Sequence, residues 1–402
     1  MLTSAPVRVS ARVNGFSYAI RNIVAEAKAI EATGRPVRYL NIGDPVQFGF
    51  RTPPHLVAAV DEAMRAGHNG YAPSVGIMPA REAVAGEWTR RGVPVTADRV
   101  VLTSGTSEGI ELALSAIADA GDDVLVPAPN YPLYTAVLAK IGARGVHYRM
   151  DPDNDWLPDM DDVRRQIGPR TRAIVVIDPN NPTGAVYPEA TRRAFIDLAE
   201  STGLVILADE VYSDVAFDGP TALLGSLAPD APIISFSSLS KAYLAPGWRT
   251  GWLVVGRSPR LDEVLAAIKK LADARLCSPG PMQYAVAPAL TGDRSHQRVF
   301  ADALRARAEV TTRRISAIPG MRCVMPRAAF YAMPQVALPP GTSDEDYILG
   351  LLRATGILCV YGSGFGMPRD GGFFRIVFLA SPEELDAIYD EMADFTRGFL
   401  SR

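Results

Sequence analysis

The sequence predicts an α/β fold with a large domain built on a mostly parallel sheet, followed by a smaller α+β domain. Three observations predict it. Short, continuous, β-branched apolar runs recur through the middle of the chain, as strands buried on both faces require. Segments with helical periodicity alternate with those runs. After about Met282 the alternation gives way to one long helical stretch and a few short apolar runs.

The elements follow in order. Residues 99–103 read as a strand. The helix after it places Ile110, Leu114 and Ile117 on one face at i, i+4 and i+7. Strands are expected at 123–126, 173–177, 205–207, 233–236 and 252–255. A long helix is expected over 295–318, with shorter strand-like runs at 330–333, 357–360 and 373–378.

Composition excludes several function classes. With 402 residues the chain is long enough for two domains and a large core. A net charge of -3 gives no electrostatic case for nucleic acid or an anionic membrane as partner. No apolar run approaches the roughly 18 residues needed to span a bilayer. Cys277, Cys323 and Cys359 are odd in number and far apart, which points to a reducing compartment and a cytoplasmic protein. The four histidines lack metal-ligand spacing, so no metal is expected. The N-terminus is acid-poor as far as Glu26 and carries Arg8, Arg12 and Arg21, a pattern a transit peptide shares.

In open parallel sheets, ligands bind beyond the carboxyl ends of the strands. Four motifs fall there: Ser104-Gly105-Thr106, Asn181 in Asn180-Asn181-Pro182-Thr183-Gly184, Asp209 in Ala208-Asp209-Glu210-Val211-Tyr212, and Lys241 in the run from Ser237 to Arg249. A lysine among small hydroxyl residues, with an arginine past a Pro-Gly turn, suits a phosphorylated aldehyde. The amine forms a Schiff base and moves protons. Ser238, Arg249 and the 104–106 loop grip the phosphate. Each motif also has an ordinary reading: Ser and Thr as helix caps, Asn-Pro as a turn, Asp209 and Tyr212 as core groups, Tyr131 as turn packing. Arg375 stands alone in the apolar run 373–378, where a charge is costly unless paired.

Together these motifs resemble the fold-type-I pyridoxal 5′-phosphate (PLP) enzymes of aminotransferase class I. The resemblance runs from about residue 16 to the C-terminus. It is closest to bacterial alanine (glutamate–pyruvate) aminotransferases and their tyrosine-type relatives, through residues 40–45, 126–134, 180–187 and 374–377. It implies the fold-type-I PLP transferase architecture: residues 1–45 packing with the small domain, 46–285 as the PLP domain and 286–402 as the small domain.

The resemblance also implies roles. Lys241 holds the cofactor, Asp209 pairs with its ring nitrogen, and Tyr212 and Asn181 donate to its ring oxygen. Tyr131 stacks on the ring. Arg375 binds the substrate α-carboxylate bidentately, beside Asn181 and the backbone of Gly43, with Tyr18 nearby. Tyr71 reaches the phosphate of a neighbouring subunit, which makes the protein a homodimer. The substrates are amino acids and 2-oxo acids, with alanine/pyruvate and glutamate/2-oxoglutarate favoured. Residues 236–240 lack the Asn-Gly pair frequent in alanine-type relatives, and 244–248 look more tyrosine-like. An aromatic or specialised-metabolite aminotransferase and a β-lyase of the same fold therefore stand as alternatives. A PLP-sensing regulator is disfavoured because no winged-helix segment or basic stretch precedes the domain.

Overall fold

The structure is a computed structural model that describes residues 7–15 and 19–401, with side chains from 7–13 and from 23 onward. Its centre is an eight-stranded sheet. The strands are β1 (Val100–Ser104), β2 (Asp123–Ala128), β3 (Arg144–Asp151), β4 (Leu157–Pro158), β5 (Thr171–Ile177), β6 (Val205–Asp209), β7 (Ile233–Ser238) and β8 (Thr250–Val255). Their spatial order is β1-β8-β7-β6-β5-β2-β3-β4. The run from β7 to β3 is parallel, while β8 is antiparallel to both of its neighbours and β4 to β3.

The central strands bury both faces. In β5, Ala173, Val175 and Ile177 pack into one core cluster while Ile174 and Val176 pack into another. The helix Thr106–Ile117 contributes Ile110 and Leu114 to the first of these cores. The strand β3 was not anticipated. Its sequence Arg-Gly-Val-His-Tyr-Arg-Met-Asp is polar, and only Tyr148 and Met150 are buried, with period two. Such a strand near the sheet edge lacks the continuous apolar run that marks its neighbours.

The C-terminal elements form smaller sheets beside the helices Ser295–Ser316, Asp344–Thr355 and Pro382–Leu400. Phe374–Val377 lies between Tyr331–Ala332 and Val360–Tyr361, antiparallel to both. Arg38–Tyr39 pairs in parallel with Ile357–Leu358, and Arg38 also forms an ion pair with Glu391. The early part of the chain is thereby stitched to its end.

Strand direction positions the site. Register sets Asp209 between Ile177 and Phe236, so the ends of β5, β6 and β7 lie side by side. Because β8 runs the other way, its start is what reaches this edge. Thr250 pairs with Ser104, and Gly251 with Ser238, which brings Arg249 to the ends of β1 and β7.

Candidate active site

A cavity of about 530 Å³ opens at this edge. Lys241, Asp209, Asn181, Tyr212, Tyr131, Gly43, Thr106, Ser238, Arg249 and Arg375 all line it. These residues come from segments as far apart as 43 and 375, and strand ends bring them together. Tyr18 lies outside the described residues.

Lys241 follows β7. Its loop is tied down by Leu239 N–H to Thr250 O (3.0 Å), Ala245 N–H to Leu239 O (3.1 Å) and the Thr52 hydroxyl to Leu244 O (2.6 Å). The Lys241 Nζ donates to Gly43 O at 2.8 Å and sits 5.3 Å from the Phe330 ring centre. A Cβ on Gly43 would overlap the Tyr331 hydroxyl and the Phe330 ring, so only glycine allows this approach.

Asp209, 4% exposed, accepts from the Tyr134 hydroxyl at 3.1 Å through Oδ2. Its Oδ1 is buried without a hydrogen-bond partner. Burial pushes the pKa up to about 6, against the pull of the Tyr134 hydroxyl and the Val211 backbone N–H. A buried carboxylate with one oxygen orphaned at a cavity fits a ring N–H donor, and a positive partner would hold it ionised.

Arg375 is 2% exposed. Its guanidinium donates to Asn181 Oδ1 (3.2 Å) and Asn41 O (2.6 Å), and lies 4.7 Å from the Tyr331 ring centre and 4.8 Å from that of Phe365. Guanidinium has no acceptor, so the amide oxygen of Asn181 must face it and the amide nitrogen must face away. The turn behind Asn181 is built by Asn180 Oδ1, which accepts from Thr183 N–H (3.2 Å) and its hydroxyl (2.9 Å).

The anion-binding end differs in part from the expected cup. Thr106, Ser107, Ser238, Ser240 and Arg249 line the cavity, at the start of the helix Thr106–Ile117. Ser104 and Gly105 do not. The N–H of Ser104 is taken by the Glu108 carboxylate at 2.6 Å, and this serine opens onto a separate recess with Tyr71. Gly105 acts by leaving room: a Cβ there would overlap the Arg249 guanidinium. A Cβ on Gly251 would lie 2.7 Å from Gly105 C and Thr106 N, so that glycine admits the loop as well. Four hydroxyls, a helix start and a guanidinium make a donor set that fits a phosphate. Tyr71, 86% exposed, does not line the cavity of its own chain.

The sequence reading missed Tyr134, Tyr331, Asn41, Ser107 and Ser240 as site residues. Tyr134 sat inside a motif already singled out, three residues after Tyr131. Tyr331 sat inside an apolar run read only as a strand. Among the described residues, no group of three or more His, Cys, Asp or Glu side chains could hold a metal ion, and no helix is long and apolar enough to cross a membrane.

The profile of the family described as aminotransferase class I and II matches residues 36–391. The chain belongs to the class I and II aminotransferases. It is a PLP-dependent transaminase, with the fold-type-I architecture. It is 35% identical to a glutamate-pyruvate aminotransferase of Escherichia coli, covering 98% of this chain and 99% of that one. It is 37% identical to an alanine aminotransferase of Mycobacterium bovis, over 96% of this chain and 92% of the relative. Its fold matches the solved alanine aminotransferase of Pyrococcus furiosus with a TM-score of 0.94 at 38% identity, covering 97% of this chain and all of that one.

Next to the cavity, Glu210 is buried, and burial pushes its pKa up to about 7 although Oε1 accepts from Leu224 N–H at 2.6 Å. The unfolded chain gives up this proton near pH 4.5 while the folded chain keeps it to about 7. The unfolded state then binds fewer protons, so this group lowers stability as pH rises through that window. Glu210→Gln cannot ionise. Its melting temperature relative to the parent should rise between pH 4.5 and 7 and level off above. A pH-independent difference would show that Glu210 titrates normally.

Proposed function

We propose that this aminotransferase exchanges the α-amino group between the alanine/pyruvate and glutamate/2-oxoglutarate pairs. The observation that carries the reading is the single cavity onto which Lys241, Asp209 and Arg375 converge. The names of the Escherichia coli, Mycobacterium bovis and Pyrococcus furiosus relatives support the substrate pair. When bound, PLP supplies an aldehyde that carries the amine and a ring that takes up electron density from the substrate Cα.

The residues divide the remaining work. Lys241 holds the aldehyde carbon and later moves the proton at Cα. Asp209 keeps the ring nitrogen protonated. Tyr212 and the Asn181 amide nitrogen donate to the ring oxygen, and Tyr131 covers a ring face. Thr106, Ser107, Ser238, Ser240 and Arg249 hold the phosphate. Arg375 and Asn181 fix the α-carboxylate, and the Gly43 backbone leaves room for it. The same reading assigns 46–285 to the PLP domain, with 1–45 joined to 286–402; the pairing of Arg38–Tyr39 with Ile357–Leu358 supports this. Tyr71, exposed beside the Ser104 recess, supports a homodimer with shared sites. Three cysteines, odd in number and far apart, favour a reducing compartment, and we place the protein in the cytoplasm.

The test is a donor screen on the PLP-loaded enzyme, following loss of its visible absorbance amino acid by amino acid. Alanine and glutamate should react fastest. Faster reaction with tyrosine or phenylalanine would replace the alanine reading with an aromatic one. Pyruvate release without an acceptor would mark a lyase.

Asp209→Asn should keep PLP bound yet lose most of the rate, because an amide cannot hold the ring proton. Equal single-turnover rates in variant and parent, with matched circular dichroism, would remove Asp209 from the chemistry.

A further inference from the structure

We propose that Tyr331 is a positioning residue that joins the two recognition ends of the site, aiming the Tyr212 hydroxyl and bracing the Arg375 guanidinium. The inference rests on the roles proposed above for Tyr212 and Arg375.

Three observations carry it. The Tyr331 and Tyr212 hydroxyls are 2.9 Å apart, and both side chains are buried at the cavity wall. The Tyr331 ring lies 4.7 Å from the Arg375 guanidinium, with Phe365 at 4.8 Å as a second aromatic neighbour. Gly43 is a glycine at a point where any Cβ would overlap the Tyr331 hydroxyl. The fold thus keeps a space for that oxygen, beside the carbonyl that accepts from Lys241.

Two hydroxyls in contact share one hydrogen bond and leave one proton over. Tyr212 uses its proton toward the cofactor ring oxygen, so Tyr331 must be the donor in the pair. A hydroxyl that accepts a hydrogen bond becomes a better donor. Tyr331 therefore strengthens the Tyr212 contact and orients it. Its ring serves Arg375 separately, as a flat surface that holds the fork in one plane without competing for its N–H groups. Tyr331 comes from the strand paired with that of Arg375, Ala332 opposite Ile376, so both partners move as one unit.

The two functions come apart in two variants. Tyr331→Phe removes the hydroxyl and keeps the ring. Tyr331→Leu removes both. The first readout is the pH titration of the visible absorbance of the PLP-loaded protein, which reports protonation of the Lys241–cofactor bond. Tyr212 lowers that midpoint by stabilising the ring oxygen as an anion. Tyr331→Phe should raise it by roughly half to one pH unit, the effect of one lost neutral hydrogen bond. Lys241, Asp209, Tyr131, Arg249 and Arg375 face the same cavity and are unchanged, so the shift reads the hydroxyl. Tyr212→Phe should raise the midpoint further, and adding Tyr331→Phe to it should change nothing more.

The second readout is binding of 2-methylalanine, which has a carboxylate but no Cα hydrogen to lose. At a pH below both midpoints, where the Lys241–cofactor bond is protonated in each protein, Tyr331→Phe should bind it as the parent does. Tyr331→Leu should bind it roughly 3- to 10-fold more weakly, as expected for a lost cation–π contact. An unchanged midpoint in Tyr331→Phe, with a shifted one in Tyr212→Phe, would overturn the inference and leave the proposed function standing. Additive shifts in the double variant would overturn it too. An unchanged midpoint in both single variants would overturn it together with the role of Tyr212.

Discussion

Lys241→Ala should abolish the visible absorbance of the PLP-loaded protein and nearly all turnover. Lys241 lines the cavity with its Nζ held 2.8 Å from Gly43 O, within a loop fixed on both sides. The proton transfer at Cα alone is worth roughly 10²–10⁴-fold, and the covalent hold on the cofactor is lost in addition. Lys269 and Lys270 are in the helix Asp262–Ala274, away from the cavity, and cannot substitute. The check is borohydride reduction followed by peptide mass analysis. The parent should carry PLP on Lys241 and the variant should carry none. A reducible bond to another lysine in the variant would move the catalytic amine elsewhere. Loss of the Gly43 contact is a minor cost, because a neutral truncation there leaves a carbonyl at the edge of an open cavity that water can reach.

Much of this site was legible before any coordinates, for reasons that differ by residue. Lys241 and Asn181 follow strands buried on both faces and Asp209 ends one, and such strands announce themselves as unbroken apolar runs. Arg375 was legible as a charge where none belongs. Partners distant in sequence were not legible. The Tyr134 hydroxyl reaches Asp209 across 75 residues and Tyr331 reaches Tyr212 across 119, and neither contact leaves a periodic trace. Ser104 opens onto the recess it shares with Tyr71 rather than onto the cavity, and a motif alone does not show this because the direction of each hydroxyl depends on the turn. At that turn Gly105 has φ 73°, Thr106 and Ser107 line the cavity, and the Ser104 N–H meets Glu108. The strand β3 was missed because one polar face conceals two buried side chains.

Arg375→Ala should weaken every amino-acid and 2-oxo-acid substrate while leaving PLP affinity nearly unchanged. The guanidinium is buried at the cavity wall, aromatic on two sides, and oriented by Asn181 Oδ1 and Asn41 O. Removing one partner of a buried charged pair costs about 2–5 kcal/mol, roughly 30-fold to several thousand-fold in kcat/KM, part of it the penalty of an uncompensated carboxylate. Arg375→Lys should recover only a fraction, since an ammonium cannot reproduce the planar fork or lie flat between the Tyr331 and Phe365 rings. Half-reactions with alanine and glutamate decide what Arg375 recognises, because the two share only the α-amino acid group. A fall of equal size in both places the α-carboxylate on Arg375. A fall confined to glutamate would make Arg375 the selector of the side-chain carboxylate, and the α-carboxylate would then need another cation. Among the described residues, Arg249 is the other arginine lining this cavity, and the reading above commits it to the phosphate. The paired half-reactions therefore test the assignment of both arginines: if Arg375 recognises side chains, Arg249→Ala should weaken alanine as well as PLP, whereas under the present assignment it should weaken PLP alone.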